Sequence, residues 1–158
     1  MENELGHAAA SIKMDLYDII LTLLALNKDN QDKYSEDNKH ILGSVSWLLE
    51  FGTVTLSVGR RAGHTTAVTR IAGDLYHTGN RVLVVTDTKL TREWLEVAKG
   101  TNITVTTFTK LKNDPESLRG LELNFAVIEP CCLMKGKLSD TIINLGRYTT
   151  VEQVLCIS

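Results

Sequence analysis

The sequence predicts an α/β protein, a three-layer α/β/α sandwich on a mainly parallel five-stranded sheet with an N-terminal helix in front of it. Three observations lead there. Five short runs rich in β-branched residues, TVTLSV (53–58), RVLVVT (81–86), NITVTTF (102–108), NFAVIE (124–129) and EQVLCI (152–157), are mostly apolar on both faces, the composition of strands covered on both sides. Helical stretches lie between several of them, which calls for crossovers and helices on the sheet faces. The chain has 158 residues, 43% of them hydrophobic, which is one domain's length and enough to bury one core.

Taken in order, residues 12–26 place Leu16, Ile19, Ile20, Leu23 and Leu24 on one helical face, with Asp15 and Asp18 near its front end. The run NKDNQDKYSEDNKH (27–40) is polar and without periodicity and reads as a linker, so residues 1–40 form a leading segment and 41–158 the main domain. Ile41, Val45, Leu48 and Leu49 suggest a short helix that Gly52 ends. TTAVTRIAGDLYH and LTREWLEVAKG are the helices between the first three strands, and LSDTIINLG (138–146) is another, with Ser139 as its cap. Trp47 and Trp94 sit on apolar helical faces and read as core residues.

The net charge of −2 argues against gripping nucleic acid by bulk electrostatics and leaves room only for a local basic patch. Cys131, Cys132 and Cys156 make an odd set with no disulfide framework, which fits a reducing compartment. No run approaches the roughly 18 apolar residues of a membrane span. The expectation is a soluble, cytoplasmic protein with no membrane partner.

The stretch SVGRRAGHTTAVTRIA (57–72) carries the chemistry. Against the phosphate-binding pattern G-x-x-x-x-G-K-[ST], Gly63 takes the second glycine, His64 the lysine position and Thr65 the final hydroxyl, while Val58 stands where the first glycine belongs and Gly59 comes one place late. A strand precedes it, and a helix opens at Thr65 or Thr66, so free N–H groups and the helix dipole make an anion site. The segment Gly59, Arg60, Arg61, Ala62, Gly63, His64, Thr65 and Thr66 is thus the candidate nucleotide cradle, with Thr65 as a hydroxyl ligand for Mg²⁺. Histidine is shorter than lysine and at most partly charged near neutral pH, which weakens catalysis more than binding. Arg60 and Arg61 compensate in part, since guanidinium suits phosphate geometry. The plainer alternative is a tight strand-to-helix turn with surface arginines.

GRRAGHTT followed by a helix resembles the P-loop of the ATPase domain in phage terminase large subunits. VVTDTKLTREWL resembles the segment after the second strand in terminases and DEAD-like helicases. SLRGLELNFAVIEPCCLM resembles the terminase Arg-Gly pair, spacer, apolar strand and acidic Walker B element, and QVLCIS the strand leading into the coupling motif. The resemblance covers residues 45–158 and implies a P-loop NTPase-like sheet binding MgATP. Carried over by position, it places Thr65 and Glu129 on the metal, residues 59–64 around the phosphates and Arg60 at the γ-phosphate. The family's water-activating glutamate falls on Pro130, which has no proton acceptor. With the register shifted by one, Glu129 becomes that base and Ile128 replaces the metal ligand. One acidic function is missing either way, which implies weak or absent hydrolysis.

His7, His40 and His77 have no cysteine or carboxylate at metal-ligand spacing, and Cys131 and Cys132 read as packing residues. Asp87 and Thr88 lie at the carboxyl rim of the second strand, where open α/β sheets bind ligands, or cap the helix near Thr91; Lys89, Arg92, Lys110 and Lys112 form a modest basic rim beside them. Three function classes follow. The first is an ATP-binding protein of terminase type, working with DNA or with a viral packaging or replication assembly. The second is a non-catalytic module binding a protein partner or a second copy of itself, and the third a helicase-related fragment.

Overall fold

A computed structural model of the chain describes residues 15–58, 64–129 and 138–158, with the side chains of all but 35–40, 42 and 64. Asp15 caps the first helix among the described residues, its carboxylate accepting from the Tyr17 N–H at 3.4 Å. This helix, α1, is continuous from Leu16 to Trp47 apart from a change of direction at Gly43, whose φ of 71° is open to glycine at little cost. Residues 27–40 are therefore helical and not a linker, and the break in the helix comes at Gly43. Polar residues hold this part down. Asn27 and Gln31, one turn apart, donate to the Phe51 carbonyl at 2.8 and 3.0 Å, Gln31 also donates to the Glu152 carbonyl at 2.8 Å, and Gln153 donates back to the Leu24 carbonyl at 2.9 Å. Beyond Gly43 the helix runs on to Trp47 and ends in one π-type turn, Leu48–Gly52.

The strands are β1 (Thr53–Leu56), β2 (Val82–Thr86), β3 (Thr104–Thr107), β4 (Leu121–Glu129) and β5 (Thr149–Ile157). They form one sheet in the order β1-β5-β4-β2-β3, every neighbouring pair parallel. Between them run α2 (His64–His77), α3 (Thr91–Ala98), α4 (Phe108–Asn113) and α5 (Leu138–Tyr148), with a 3₁₀ turn, Pro115–Leu118, before β4. Ser139 is inside the first turn of α5, which starts at Leu138, so it does not precede the helix as a cap would. The sequence pattern does not mark α4 or the 3₁₀ turn, because FTKLKNDPESL shows too few apolar positions to display a period.

The helices divide by direction of travel. The moves β1 to β2 and β2 to β3 run one way along the sheet and carry α2 and α3; the moves back to β4 and β5 carry α4 and α5. One crossover hand then requires the two pairs to lie on opposite faces. The core obeys this. Val68, Ile71 and Trp94 pack with Val82, Val84, Phe125, Val127, Leu155 and Ile157 in one layer, joined by Ile20 and Leu24 of α1. Leu111, Ile142 and Leu145 pack with Leu83, Val85, Ala126, Ile128, Val154 and Cys156 in the other, joined by Trp47 and Leu48. The sandwich is thus three-layered, with α1 starting in one helical layer and its far end packing in the other. No helix among the described residues is long and apolar enough to cross a membrane.

Candidate functional site

Glu129 ends β4 at the carboxyl edge of the sheet and is 0% exposed. A carboxyl group in such a place must be hydrogen-bonded or carry a heavy desolvation cost. Two helices of the same layer supply donors. The Thr65 hydroxyl, in the first turn of α2, donates to Oε1 at 2.5 Å, and the Trp94 indole N–H, in α3, donates to Oε2 at 3.1 Å. Strand alternation explains the direction: Phe125 and Val127 face the layer of α2 and α3, and Glu129 follows them.

Sheet order explains how residues 64 positions apart in sequence meet. The crossover from β1 to β2 passes over β5 and β4, so α2 begins above the carboxyl ends of the strands it has to cross. β1 and β4 are separated only by β5, about 10 Å centre to centre at normal strand spacing. A threonine in the first turn of α2 therefore reaches a carboxylate at the end of β4. The chains leaving β4 and β2 lead to helices on opposite faces, α5 and α3, and a crevice between such strand ends is where open α/β sheets hold ligands.

The sequence singled out Thr65 and Glu129, and the structure brings them together. Thr66 is exposed beside them, its carbonyl accepting from the Thr69 hydroxyl at 2.9 Å, and it does not reach Glu129. His64 is the first residue of α2. Gly59, Arg60, Arg61, Ala62 and Gly63 lie outside the described residues, as do Pro130, Cys131, Cys132 and His7. Trp94, expected as a core residue, is fully buried and also holds the carboxyl group of Glu129, a role that helical periodicity does not signal.

Asp87 orders the turn into α3, its Oδ1 accepting from the Leu90 N–H at 2.8 Å and its carbonyl from the Thr91 N–H at 3.1 Å, but the N-cap position itself is Leu90, which has no side-chain cap. Asp87 and Thr88 also line a cleft of about 520 Å³ with Thr107, Phe108, Lys112 and Asp140, at the ends of β2 and β3 on the side of α4 and α5. Lys89, Arg92 and Lys110 are exposed around that rim. A smaller cleft of about 210 Å³ lies between α1, α5 and the start of β5. Neither cleft includes Thr65 or Glu129.

Among the described residues no group of three His, Cys, Asp or Glu is placed to hold a metal ion. The pair of Thr65 hydroxyl and Glu129 carboxylate nevertheless suits Mg²⁺ bound with a nucleotide, since that ion takes hard oxygen donors, few from protein and the rest from phosphates and water. No protein-family model matches the chain, and no curated protein matches it either.

Proposed function

We propose that the chain is a P-loop-type nucleotide-binding domain that takes ATP with Mg²⁺ and hydrolyses it weakly or not at all. The observation that carries this is the hydrogen bond at 2.5 Å between Thr65, at the start of the first crossover helix, and Glu129, at the end of β4. A hydroxyl and a carboxylate held together at that rim, behind the sequence GRRAGH, offer an anion-binding helix start and a hard-oxygen pair for its counter-ion. Bound there, Mg²⁺ would neutralise charge on the phosphate oxygens.

The weakness of hydrolysis follows from residue chemistry. His64 replaces a long, permanently charged lysine, and Pro130 next to Glu129 offers no acceptor for the proton of an attacking water. The resemblance to terminase ATPase domains makes a DNA-packaging or replication assembly the setting we propose for it.

Isothermal calorimetry with ATP, with and without Mg²⁺, tests the reading. Wild-type protein is expected to bind at micromolar nucleotide, and a Thr65→Ala, Gly63→Val variant to lose that binding. Absence of binding at millimolar nucleotide would overturn it.

A further inference from the structure

Thr86 is the last residue of β2, is 0% exposed, and its hydroxyl has no hydrogen-bond partner among the described residues. Buried polar side chains are nearly always paired, because an orphan forfeits its bonds to water and gains nothing back. Valine would fill the same space without that loss, and Val82, Leu83, Val84 and Val85 before it show that this strand accepts aliphatic residues.

The position of Thr86 supplies the reason. It stands directly opposite Glu129 in the parallel ladder between β2 and β4. Val82 and Val84 face the layer of α2 and α3, as do Phe125 and Val127, so alternation puts Thr86 and Glu129 on the same face, in strands about 4.8 Å apart. An idle donor thus lies one strand from a buried carboxyl group whose Oε1 is held by Thr65.

We propose that Thr86 is a positioning residue for Glu129, its hydroxyl donating to the Glu129 carboxylate in a second arrangement of the site. In the arrangement seen here Thr65 holds Oε1 and Thr86 is idle. When a ligand draws the Thr65 hydroxyl away, the bond from Thr65 to Glu129 breaks and one from Thr86 forms, so the carboxylate keeps its donor count. The strain of the orphan hydroxyl is then relieved in the ligand-bound state. The role of the ligand rests on the nucleotide reading; the exchange of donors does not.

A ligand-free double-mutant cycle tests the exchange. Urea unfolding is measured for wild type, Thr86→Val, Thr65→Val and the double variant. In wild type, where the hydroxyl is idle, Thr86→Val is expected to leave the unfolding equilibrium unchanged or shift it toward the folded state. In the Thr65→Val background, where Thr86 has taken over, the same change is expected to raise the unfolding constant roughly tenfold or more, the worth of a bond to a charged acceptor. Thr86→Ser in that background is expected to keep most of the stability. Equal destabilisation in both backgrounds would make Thr86 a packing residue, and no effect in either would show no exchange; both overturn the proposal. Should Thr65→Val fail to fold, Thr65→Ala, which also removes the hydroxyl and is the better helix former, takes its place in the cycle, and the same outcomes decide. Because the cycle contains no nucleotide, failure of wild type to bind ATP would count against the proposed function alone.

Discussion

Replacing Glu129 by glutamine and by alanine should give very different stabilities, and the difference can be worked out from its hydrogen bonds to Thr65 and Trp94. In Glu129→Gln the amide oxygen can accept from the Trp94 indole N–H, and the amide nitrogen can donate to the Thr65 oxygen, because a hydroxyl accepts as well as donates. Both hydrogen bonds survive in neutral form, so stability should stay within about 1 kcal/mol of wild type. In Glu129→Ala the indole N–H is left unpaired where Trp94 is 0% exposed, at about 1–3 kcal/mol, and one buried methylene is lost, at about 0.8 kcal/mol. The sum is about 2–4 kcal/mol. With a urea m-value near 2 kcal/mol/M, the alanine variant should unfold about 1–2 M earlier and the glutamine variant within about 0.5 M of wild type. Far-UV circular dichroism along a urea series reads this directly. Equal losses in the two variants would show that the site needs the carboxylate itself for folding, and a negligible loss for alanine would show that the two hydrogen bonds contribute nothing.

Three more outcomes follow from the packing and the surface. Gly146→Ala should destabilise by about 1 kcal/mol or more, since the new Cβ would lie 3.1 Å from the Val45 Cα where α1 and α5 cross, whereas Gly73→Ala in α2, with nothing within 4 Å, should gain about 0.5–1 kcal/mol; thermal melts of both variants check the opposite signs. Gln31→Leu removes the donor to the Phe51 and Glu152 carbonyls and should cost about 1–3 kcal/mol and speed proteolysis within α1, while an unchanged melt and digestion pattern would show that α1 is held by its apolar contacts alone. The hydrogen bond from the Tyr17 hydroxyl to Asp74 holds the Tyr17 phenol above the ordinary tyrosine value; its contribution to stability is present below about pH 10 and lost as pH rises through the raised value. Absorbance titration should show a late step in wild type that Asp74→Asn brings to lower pH, and identical curves for the two proteins would contradict this.

The parts legible in the sequence are those whose signal is local. The three central strands carry continuous apolar runs and the two edge strands, TVTL and TVTT, are short β-branched runs, so all five could be read directly, and the strand, glycine and Gly-x-Thr succession marked Thr65 without any knowledge of its partner. Glu129 could be picked out because it ends an apolar run, the one place on a buried strand where a carboxyl group reaches a ligand rim. What stayed hidden depends on contacts between distant segments. The helix across residues 27–40 is anchored by Asn27 and Gln31 to the backbone of Phe51 and Glu152, and amides at helical spacing look no different from a solvated stretch. Trp94 fits an apolar face whether or not its N–H has a carboxyl partner. Thr86 becomes conspicuous only when strand order puts it beside Glu129, and strand order is not written in any one strand. One missed local signal did exist: Thr107, whose hydroxyl accepts from the Lys110 N–H at 3.1 Å, is an N-cap placed to start α4.

The Trp94 indole proton reports most directly on nucleotide binding at this rim, because it touches Glu129 itself. In ¹⁵N-labelled protein the two tryptophan indole resonances, assigned with a Trp47→Phe variant, would be followed through additions of Mg²⁺ alone, ATP alone and the two together. MgATP is expected to move the Trp94 resonance, ATP without Mg²⁺ to move it far less, and Thr65→Val to abolish the response. A resonance that stays in place at millimolar MgATP, or moves equally in Thr65→Val, would contradict nucleotide binding at this rim.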